Sequence, residues 1–168
     1  MSIEIRKGTS ADLDAYAELL YNVHKNMSNK EWFYLDSREE LQQQMDEGIM
    51  ELWLAVDGEM VVGAFDLLVP GLRPINYGYA LGFTKEELLQ AVNMDSAAVH
   101  PDYRGRGIQR KLLQMAEVWL KEQGKRILLC TVHPENTYSL GNVRNLGYTV
   151  QKKIPIYGSV RYVLRKDI

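Results

Sequence analysis

Four basic side chains and two glycines lie within eight residues of the sequence, with no acidic residue among them. Gly105 and Gly107 precede a segment with clear helical periodicity. Glycine lets a backbone approach an anion closely, and the N–H groups and positive dipole end at a helix N-terminus bind phosphate. This window therefore predicts a site for one small, strongly anionic group such as a diphosphate. The basic residues are Arg104, Arg106, Arg110 and Lys111.

Two common phosphate-binding loops do not fit this window. The P-loop pattern Gly-x-x-x-x-Gly-Lys-Ser/Thr is absent, and the dinucleotide pattern Gly-x-Gly-x-x-Gly fails because Gln109 and Arg110 follow Gly107. Nucleic-acid binding needs a broad basic face, whereas this chain has a net charge of −2 and one short basic cluster. We expect no nucleic-acid partner, and a glycine turn with solvated arginines stays the alternative to phosphate binding.

The residues around the window resemble the acetyl-CoA signature of the GNAT (GCN5-related N-acetyltransferase) superfamily. Residues 99–108 read Val-His-Pro-Asp-Tyr-Arg-Gly-Arg-Gly-Ile. Arg104 and Gly107 occupy the first two fixed positions of the signature Arg/Gln-x-x-Gly-x-Gly/Ala, and Gln109 departs from the small residue usual at the third. That departure bears on the detail of phosphate contact.

A second motif downstream agrees with this resemblance. Asn136, followed by Leu-Gly-Tyr at 146–148, is similar to the family's Asn-led helix that ends in Leu-Gly-Phe/Tyr. The resemblance implies an acetyl-CoA-dependent N-acyltransferase that moves an acetyl group to a primary amine of a small molecule or peptide by direct attack on the thioester. The alternative is a catalytically silent acyl-CoA-binding module or sensor.

The resemblance also implies which residues bind coenzyme A. The backbone at Ala98 and Val99 would pair with the pantetheine arm, and Asn136 would lie near the pantetheine or acetyl end. Asn at the start of a helix is also a good N-cap, and we expect this role first. No metal is implied, because the three scattered histidines lack zinc-site spacing. The pyrophosphate would be held by Arg104, Gly105, Arg106, Gly107, Ile108 and Gln109.

An amine acceptor is mostly protonated at neutral pH, so a base must take a proton before the nitrogen attacks. Asp95 is the first candidate, because it lies on the same predicted strand as Val99 and four residues before it. In a strand without a bulge, both side chains then lie on one face. Asp66 is a weaker candidate. A carboxylate at Asp95 could equally pair with a cation or bind a cationic substrate. Many family members protonate the leaving thiolate with a tyrosine where this chain has Val143, so Tyr138 is the nearest substitute.

Periodicity, capping patterns and turn signals predict the elements that position these residues. Two capping boxes, Thr9 with Asp12 and Ser37 with Glu40, open helices that end near Met27 and at Gly48. Asp57-Gly58 predicts a hairpin turn. Further helices cover 84–90, 108–123 and 136–147, the second with the apolar stripe Ile108, Leu112, Met115, Ala116 and Trp119. Strands are predicted at 2–6, 52–56, 60–69, 92–99, 126–132, 148–153 and 160–165.

This order predicts a mixed α/β sandwich, interrupted by an insertion over Pro70–Gln90. The resemblance implies the GNAT fold, a central mixed antiparallel and parallel sheet of about seven strands flanked by about four helices, with the insertion near the acceptor as part of a lid. The length of 168 residues predicts one domain, residues 1–168.

Location and assembly are predicted from composition alone. The longest apolar stretch, Met60–Val69, is too short for a bilayer, and the N-terminus lacks a signal-peptide pattern, so we expect a cytoplasmic protein without a membrane partner. The lone Cys130 excludes an internal disulfide and is expected in the core. A homodimer is one of the assemblies compatible with the sequence.

Overall fold

The computed structural model describes residues 2–168, which form seven strands and five α-helices. The element order is the predicted one, and the helix beyond the expected four is the short helix of the insertion, at 85–90. The strands are β1 (Glu4–Lys7), β2 (Met50–Asp57), β3 (Met60–Leu68), β4 (Ala91–Val99), β5 (Ile127–Val132), β6 (Thr149–Ile156) and β7 (Ser159–Asp167). The helices are α1 (Leu13–Lys25), α2 (Arg38–Asp46), α3 (Lys85–Gln90), α4 (Ile108–Glu122) and α5 (Thr137–Asn145).

The strands form one sheet in the order β1-β2-β3-β4-β5-β7-β6. β1 with β2, β2 with β3, β5 with β7 and β6 with β7 are antiparallel, while β4 and β5 are parallel. A connection containing α4 joins the parallel pair, because parallel neighbours need a long crossover. The predicted mixed α/β fold with a seven-stranded sheet is therefore confirmed.

The chain divides into two compact units. The first unit contains residues through Ser28, Leu35–Leu68 and Asp95–Trp119, and its core includes the fully buried Leu20 and Leu54. The second unit contains 29–34, 69–94 and 120–168. Its core includes Tyr77, Ala91, Ile127, Leu129 and Val163. That residues 1–168 are a single domain stays a prediction. No helix between residues 2 and 168 is long and apolar enough to cross a membrane.

The helix starts follow the predicted capping patterns. Thr9 and Asp12 form a capping box, with the Asp12 carboxylate accepting the Thr9 N–H at 2.8 Å. This box opens a 3₁₀ turn that leads into α1. Ser37 and Glu40 form the second box at the start of α2. Each box satisfies backbone donors that a helix start leaves without internal partners.

The hairpin turn differs from the prediction by one residue. Asp57 pairs with Met60, so the two loop residues are Gly58 and Glu59 rather than Asp57 and Gly58. The register of β2 against β3 shifts beside Val56, and a bulge of this kind moves the turn along the strand. Gly58 has φ +63°, which suits the first loop position of a two-residue hairpin.

The predicted apolar stripe of α4 is wrong at Met115, whose side chain is 45% exposed. Residues four apart lie in one row along a helix, and the row that begins at Ile108 faces the core. This row contains Leu120, which is buried, and does not contain Met115. Trp119 lies at the edge of this face, with its ring 6.4 Å from that of Trp53. The buried row is Ile108, Leu112, Ala116 and Leu120.

The insertion is anchored by two buried asparagines of the second unit. The Asn76 amide group donates to the carbonyl oxygens of Gly71 at 2.9 Å and Leu88 at 3.0 Å, and its oxygen accepts the Gly78 N–H at 2.8 Å. Asn93 donates to the carbonyl of residue 75 and accepts the N–H of residue 77. These bonds replace the sheet pairing that the irregular backbone lacks.

We expect Asn76→Ala to lower the free energy of unfolding by about 2 kcal/mol, because two buried backbone groups and one partly buried group lose their partner. Urea denaturation followed by circular dichroism measures the change. Asn26→Ala is the matched control, since its exposed side chain makes one bond to the Asn22 carbonyl and should change stability by less than about 0.5 kcal/mol. Equal effects of the two substitutions would contradict the anchoring role.

Candidate active site

β4 presents alternating side chains to two environments over its second half. Asp95 and Val99 are partly exposed, while Ser96 and Ala98 are buried. This uninterrupted alternation places Asp95 and Val99 on one face of the strand, as the parity argument predicted. The Ala98 side chain is 3% exposed and faces the other way, so only the backbone of Ala98 is suited to contact a ligand on that face.

A short turn after β4 fixes the start of the glycine loop. His100 caps the 3₁₀ turn Pro101–Tyr103 by accepting the Asp102 N–H with Nδ1 at 3.1 Å. The Tyr103 hydroxyl donates to Asp57 Oδ2 at 2.6 Å. This bond to a carboxylate raises the pKa of Tyr103, so the phenol stays neutral. The loop is therefore tied to the end of β2.

The loop itself is an open cradle at the start of α4. Gly105 and Gly107 have φ of +78° and +73°, and a Cβ atom added to either would meet nothing within 4 Å. The Lys111 N–H donates to the Gly107 carbonyl at 3.1 Å, which is the first hydrogen bond of the helix. The N–H groups of residues 108–110 lie in the first turn and have no acceptor within the helix. Open space, free amide donors and the helix dipole together fit a diphosphate.

The basic side chains of the loop are exposed on the same stretch of chain. Arg106 is the one whose orientation is fixed, since its guanidinium lies over the Tyr103 ring at 4.7 Å and donates to the Asp102 carbonyl at 3.3 Å. Gln109 is also exposed. The departure from the signature therefore lies on the exposed side of the first turn of α4 and not in the core.

Asn136 and Tyr138 lie in the second unit, Asn136 directly before α5 and Tyr138 on this helix. The Asn136 side chain accepts the Ser139 N–H at 3.2 Å, which confirms the predicted N-cap. Tyr138 is 82% exposed. The Val143 carbonyl accepts N–H bonds at the C-terminal end of α5. A role of Asn136 in binding coenzyme A and of Tyr138 as general acid stay predictions.

Three carboxylates of the first unit meet in a group that the sequence analysis did not find, called here the aspartate cluster. Asp36 precedes α2, Asp66 lies on β3 and Asp95 on β4, and one oxygen from each lies within 4.8 Å of the others. Asp66 is fully buried, whereas Asp36 and Asp95 are partly exposed. The two candidate bases of the sequence analysis are therefore neighbours, and Asp36 was missed.

Burial and mutual repulsion keep this cluster partly protonated at neutral pH. Burial raises the pKa of Asp66 to about 7, and the Asp36 carboxylate adds to the rise. The pKa of Asp36 is raised to about 8. Burial is the largest cause, and the nearby carboxylates of Asp95 and Glu40 add to the rise. Ser96 N–H donates to Asp66 Oδ1 at 2.9 Å and opposes the rise at Asp66. Carboxyl groups with pKa values near 7 are effective bases at neutral pH.

Tyr16 on α1 is the other polar side chain of the cluster. Its side chain is fully buried, and burial raises the pKa of its hydroxyl well above the usual range, with Asp66 as the next cause. The hydroxyl is close enough to Asp66 to affect its pKa, yet neither this hydroxyl nor Asp66 Oδ2 has a partner in hydrogen-bonding geometry among the described residues. Two buried polar atoms thus lack partners at one place.

Comparisons with known proteins show the family of this chain. The model of the Acetyltransferase (GNAT) family matches residues 17–148. The L-amino acid N-acyltransferase MnaT of Escherichia coli (strain K12) is 33% identical over 64 residues. That alignment covers 38% of this chain and 37% of MnaT, so it spans little more than a third of the curated relative.

Solved structures share the fold over almost their whole length. The paia N-acetyltransferase from Thermoplasma acidophilum, crystallised with coenzyme A, has a TM-score of 0.72 at 19% identity, with 100% of both chains covered. The acetyltransferase yncA from Salmonella typhimurium, solved with acetyl-CoA, has a TM-score of 0.72 at 18% identity, covering 99% of this chain and 94% of that one. Because the family model spans β4, the glycine loop and α4, and most of the remaining chain, the protein belongs to the acetyltransferase (GNAT) family.

Proposed function

We propose that the protein is an acetyl-CoA-dependent N-acyltransferase that moves the acetyl group to a primary amine of a small molecule or peptide. One observation carries this proposal. A single strand, β4, leads along one face from the carboxylate of Asp95 to Val99 and then into the glycine cradle at α4. The proposed base and the proposed diphosphate site thus lie on one short stretch of chain, which supports the proposal.

The donor half of the proposal rests on the cradle. The N–H groups of residues 108–110 and the guanidinium groups of Arg104 and Arg106 would hold the diphosphate of coenzyme A. The backbone at Val99 would pair with the amides of the pantetheine arm. When bound, acetyl-CoA supplies the activated acyl group. Two similar structures were crystallised with coenzyme A or acetyl-CoA, which supports this ligand.

The acceptor half rests on the aspartate cluster. Transfer forms a C–N bond and breaks the C–S bond of the thioester, while the amine loses a proton and the thiolate gains one. Asp95 is the proposed base, and Asp36 and Asp66 can share its proton because their pKa values lie near 7 to 8. Holding amine and thioester together supplies much of the remaining acceleration. A thiolate leaves readily, so the general acid matters less.

A titration and a turnover assay test this function together. We expect saturable calorimetric binding of acetyl-CoA that ATP does not reproduce, and amine-dependent release of the CoA thiol with a matching acetylated product by mass spectrometry. Binding without turnover on a broad amine panel would favour the silent acyl-CoA-binding module that Val143 leaves open. No binding by the folded protein would overturn both readings.

A further inference from the structure

The aspartate cluster brings together three carboxyl groups, as many acceptors as one ammonium group has donors. An –NH₃⁺ group has three donors at tetrahedral angles. Charge-assisted N–H···O bonds of about 2.8 Å place three acceptors about 4.6 Å apart around such a nitrogen. One carboxylate oxygen each from Asp36, Asp66 and Asp95 lies within 4.8 Å of the others. This upper limit admits one ammonium nitrogen between the three aspartates, with each of its donors directed to a different carboxyl group.

Two buried atoms independently indicate a missing ligand at this place. Asp66 Oδ2 and the Tyr16 hydroxyl belong to fully buried side chains and have no hydrogen-bond partner among the described residues. Buried polar atoms in folded proteins are nearly always paired, with protein, water or ligand. When Asp66 is ionised, its Oδ2 is an acceptor, and the partner that it then lacks is a donor. The two partly exposed aspartates leave a way in from solvent.

The charges that surround the cluster favour a ligand whose ammonium group has no carboxylate on the adjacent carbon. The charged groups that raise the pKa values of Asp36 and Asp66 are carboxylates, Glu40 of α2 among them. Arg38, also on α2, donates to Asp14 at 2.7 Å. An α-amino acid carries its own carboxylate on the carbon that bears the amine, which would add another negative charge beside the carboxyl groups of this partly buried site.

We propose that the aspartate cluster binds the acceptor as an aliphatic ammonium ion and selects small aliphatic amines that carry no α-carboxylate over α-amino acids. This inference rests on the proposed function and names its acceptor class. The bound ammonium gives one proton to a cluster carboxylate, and its lone pair then forms the C–N bond as the C–S bond breaks. The second N–H proton leaves the new amide nitrogen and reaches the thiolate, which departs as the thiol.

Three matched acceptors test this selection in a buffer free of primary amines and divalent cations. Butylamine and L-2-aminopentanoate differ by the α-carboxylate, and the methyl ester of the amino acid restores the bulk without the charge. We expect kcat/KM for butylamine and the ester to agree within about tenfold and to exceed that for the amino acid at least thirtyfold. Equal rates for the amino acid and its ester would overturn the inference.

Variants assign the selection to the cluster. We expect Asp36→Asn to raise the KM for butylamine at least tenfold and to leave the acetyl-CoA affinity unchanged. The ratio of kcat/KM for butylamine to that for L-2-aminopentanoate should fall at least fivefold. Asp46→Asn, which removes an exposed charge from α2, is the matched control and should leave both values within twofold. Unchanged discrimination in Asp36→Asn would place the selection elsewhere.

A binding measurement separates this inference from the proposed function. If no amine releases CoA, the transferase proposal fails. Calorimetric titration of the protein–CoA complex with butylammonium still tests whether the aspartate cluster binds an ammonium ion. Binding that Asp36→Asn weakens at least tenfold supports it, and no binding overturns it. Micromolar affinity of wild type for Mg²⁺ or Ca²⁺ that Asp36→Asn abolishes would assign the cluster to a metal ion and also overturn it.

Discussion

Replacing Gly107 by glutamate is expected to weaken acetyl-CoA binding at least 100-fold, as measured by calorimetric titration. Gly107 has φ +73°, a conformation that L-residues adopt at a cost. The new carboxylate would also stand at the start of α4, where the free N–H groups and the dipole favour an anion. It would compete with the diphosphate for these donors. Because a Cβ there meets no atom within 4 Å, a clash inside the protein does not explain the loss.

Gly124→Glu is the matched control for this prediction. Gly124 has φ +78°, and a Cβ there also meets nothing within 4 Å, but it follows the C-terminal end of α4. The substitution therefore brings the same backbone strain and the same charge without a nearby anion site. We expect Gly124→Glu to bind acetyl-CoA within about twofold of wild type. If Gly107→Glu binds as well as wild type does, the glycine loop is not the diphosphate site.

The features that the sequence predicted correctly depend on residues close together in the chain. A capping box needs four consecutive residues, as at Ser37 with Glu40, and the Asn136 cap needs only the helix that follows it. The glycine loop is equally local, because strand, loop and helix N-terminus are contiguous from Ala91 to Glu122. Local hydrogen bonds and backbone conformation determine such features, so the residue types alone carry the information.

The features that were missed depend on contacts between distant residues. The three members of the aspartate cluster are about thirty residues apart in sequence, and no local pattern relates Asp36, outside any helix or strand, to β3 and β4. Arg161 is a second case, since its buried guanidinium donates to the carbonyls of Glu31 at 2.6 Å and Trp32 at 3.0 Å. Sequence patterns report which face of an element is apolar, but not which elements meet there.

The stability of the protein is expected to depend on pH through the aspartate cluster. Asp36 and Asp66 have an ordinary pKa of 3.8, and the fold raises these values to about 8 and about 7. Between pH 4 and pH 8 the folded protein therefore binds more protons than the unfolded chain. The stabilisation is fully present below about pH 4 and is lost as the pH rises through 7 to 8. Asp95 and Glu40 add to the raised pKa of Asp36, and Asp36 adds to that of Asp66, whereas the Tyr16 hydroxyl lowers the pKa of Asp66.

Asp36→Asn tests this contribution, together with the rise that Asp36 causes in the pKa of Asp66. Asparagine resembles the protonated aspartic acid in shape and charge, so we expect the variant to exceed the wild type in stability by less at pH 5 than at pH 9. At pH 9 the variant should be more stable by an amount on the order of 3 kcal/mol, because it removes one of three crowded charges. Urea denaturation at the two pH values, without primary amines or divalent cations, measures the difference.

Asp46→Asn is again the control, because Asp46 is exposed on α2 and accepts a hydrogen bond from Gln42 at 2.8 Å. Its effect on stability should stay within about 0.5 kcal/mol and change little between pH 5 and pH 9. A gain from Asp36→Asn that is equal at both pH values would mean that shape, not charge, strains the cluster. Adding butylammonium at pH 9 should then stabilise wild type more than Asp36→Asn if the charge is what an acceptor ammonium neutralises.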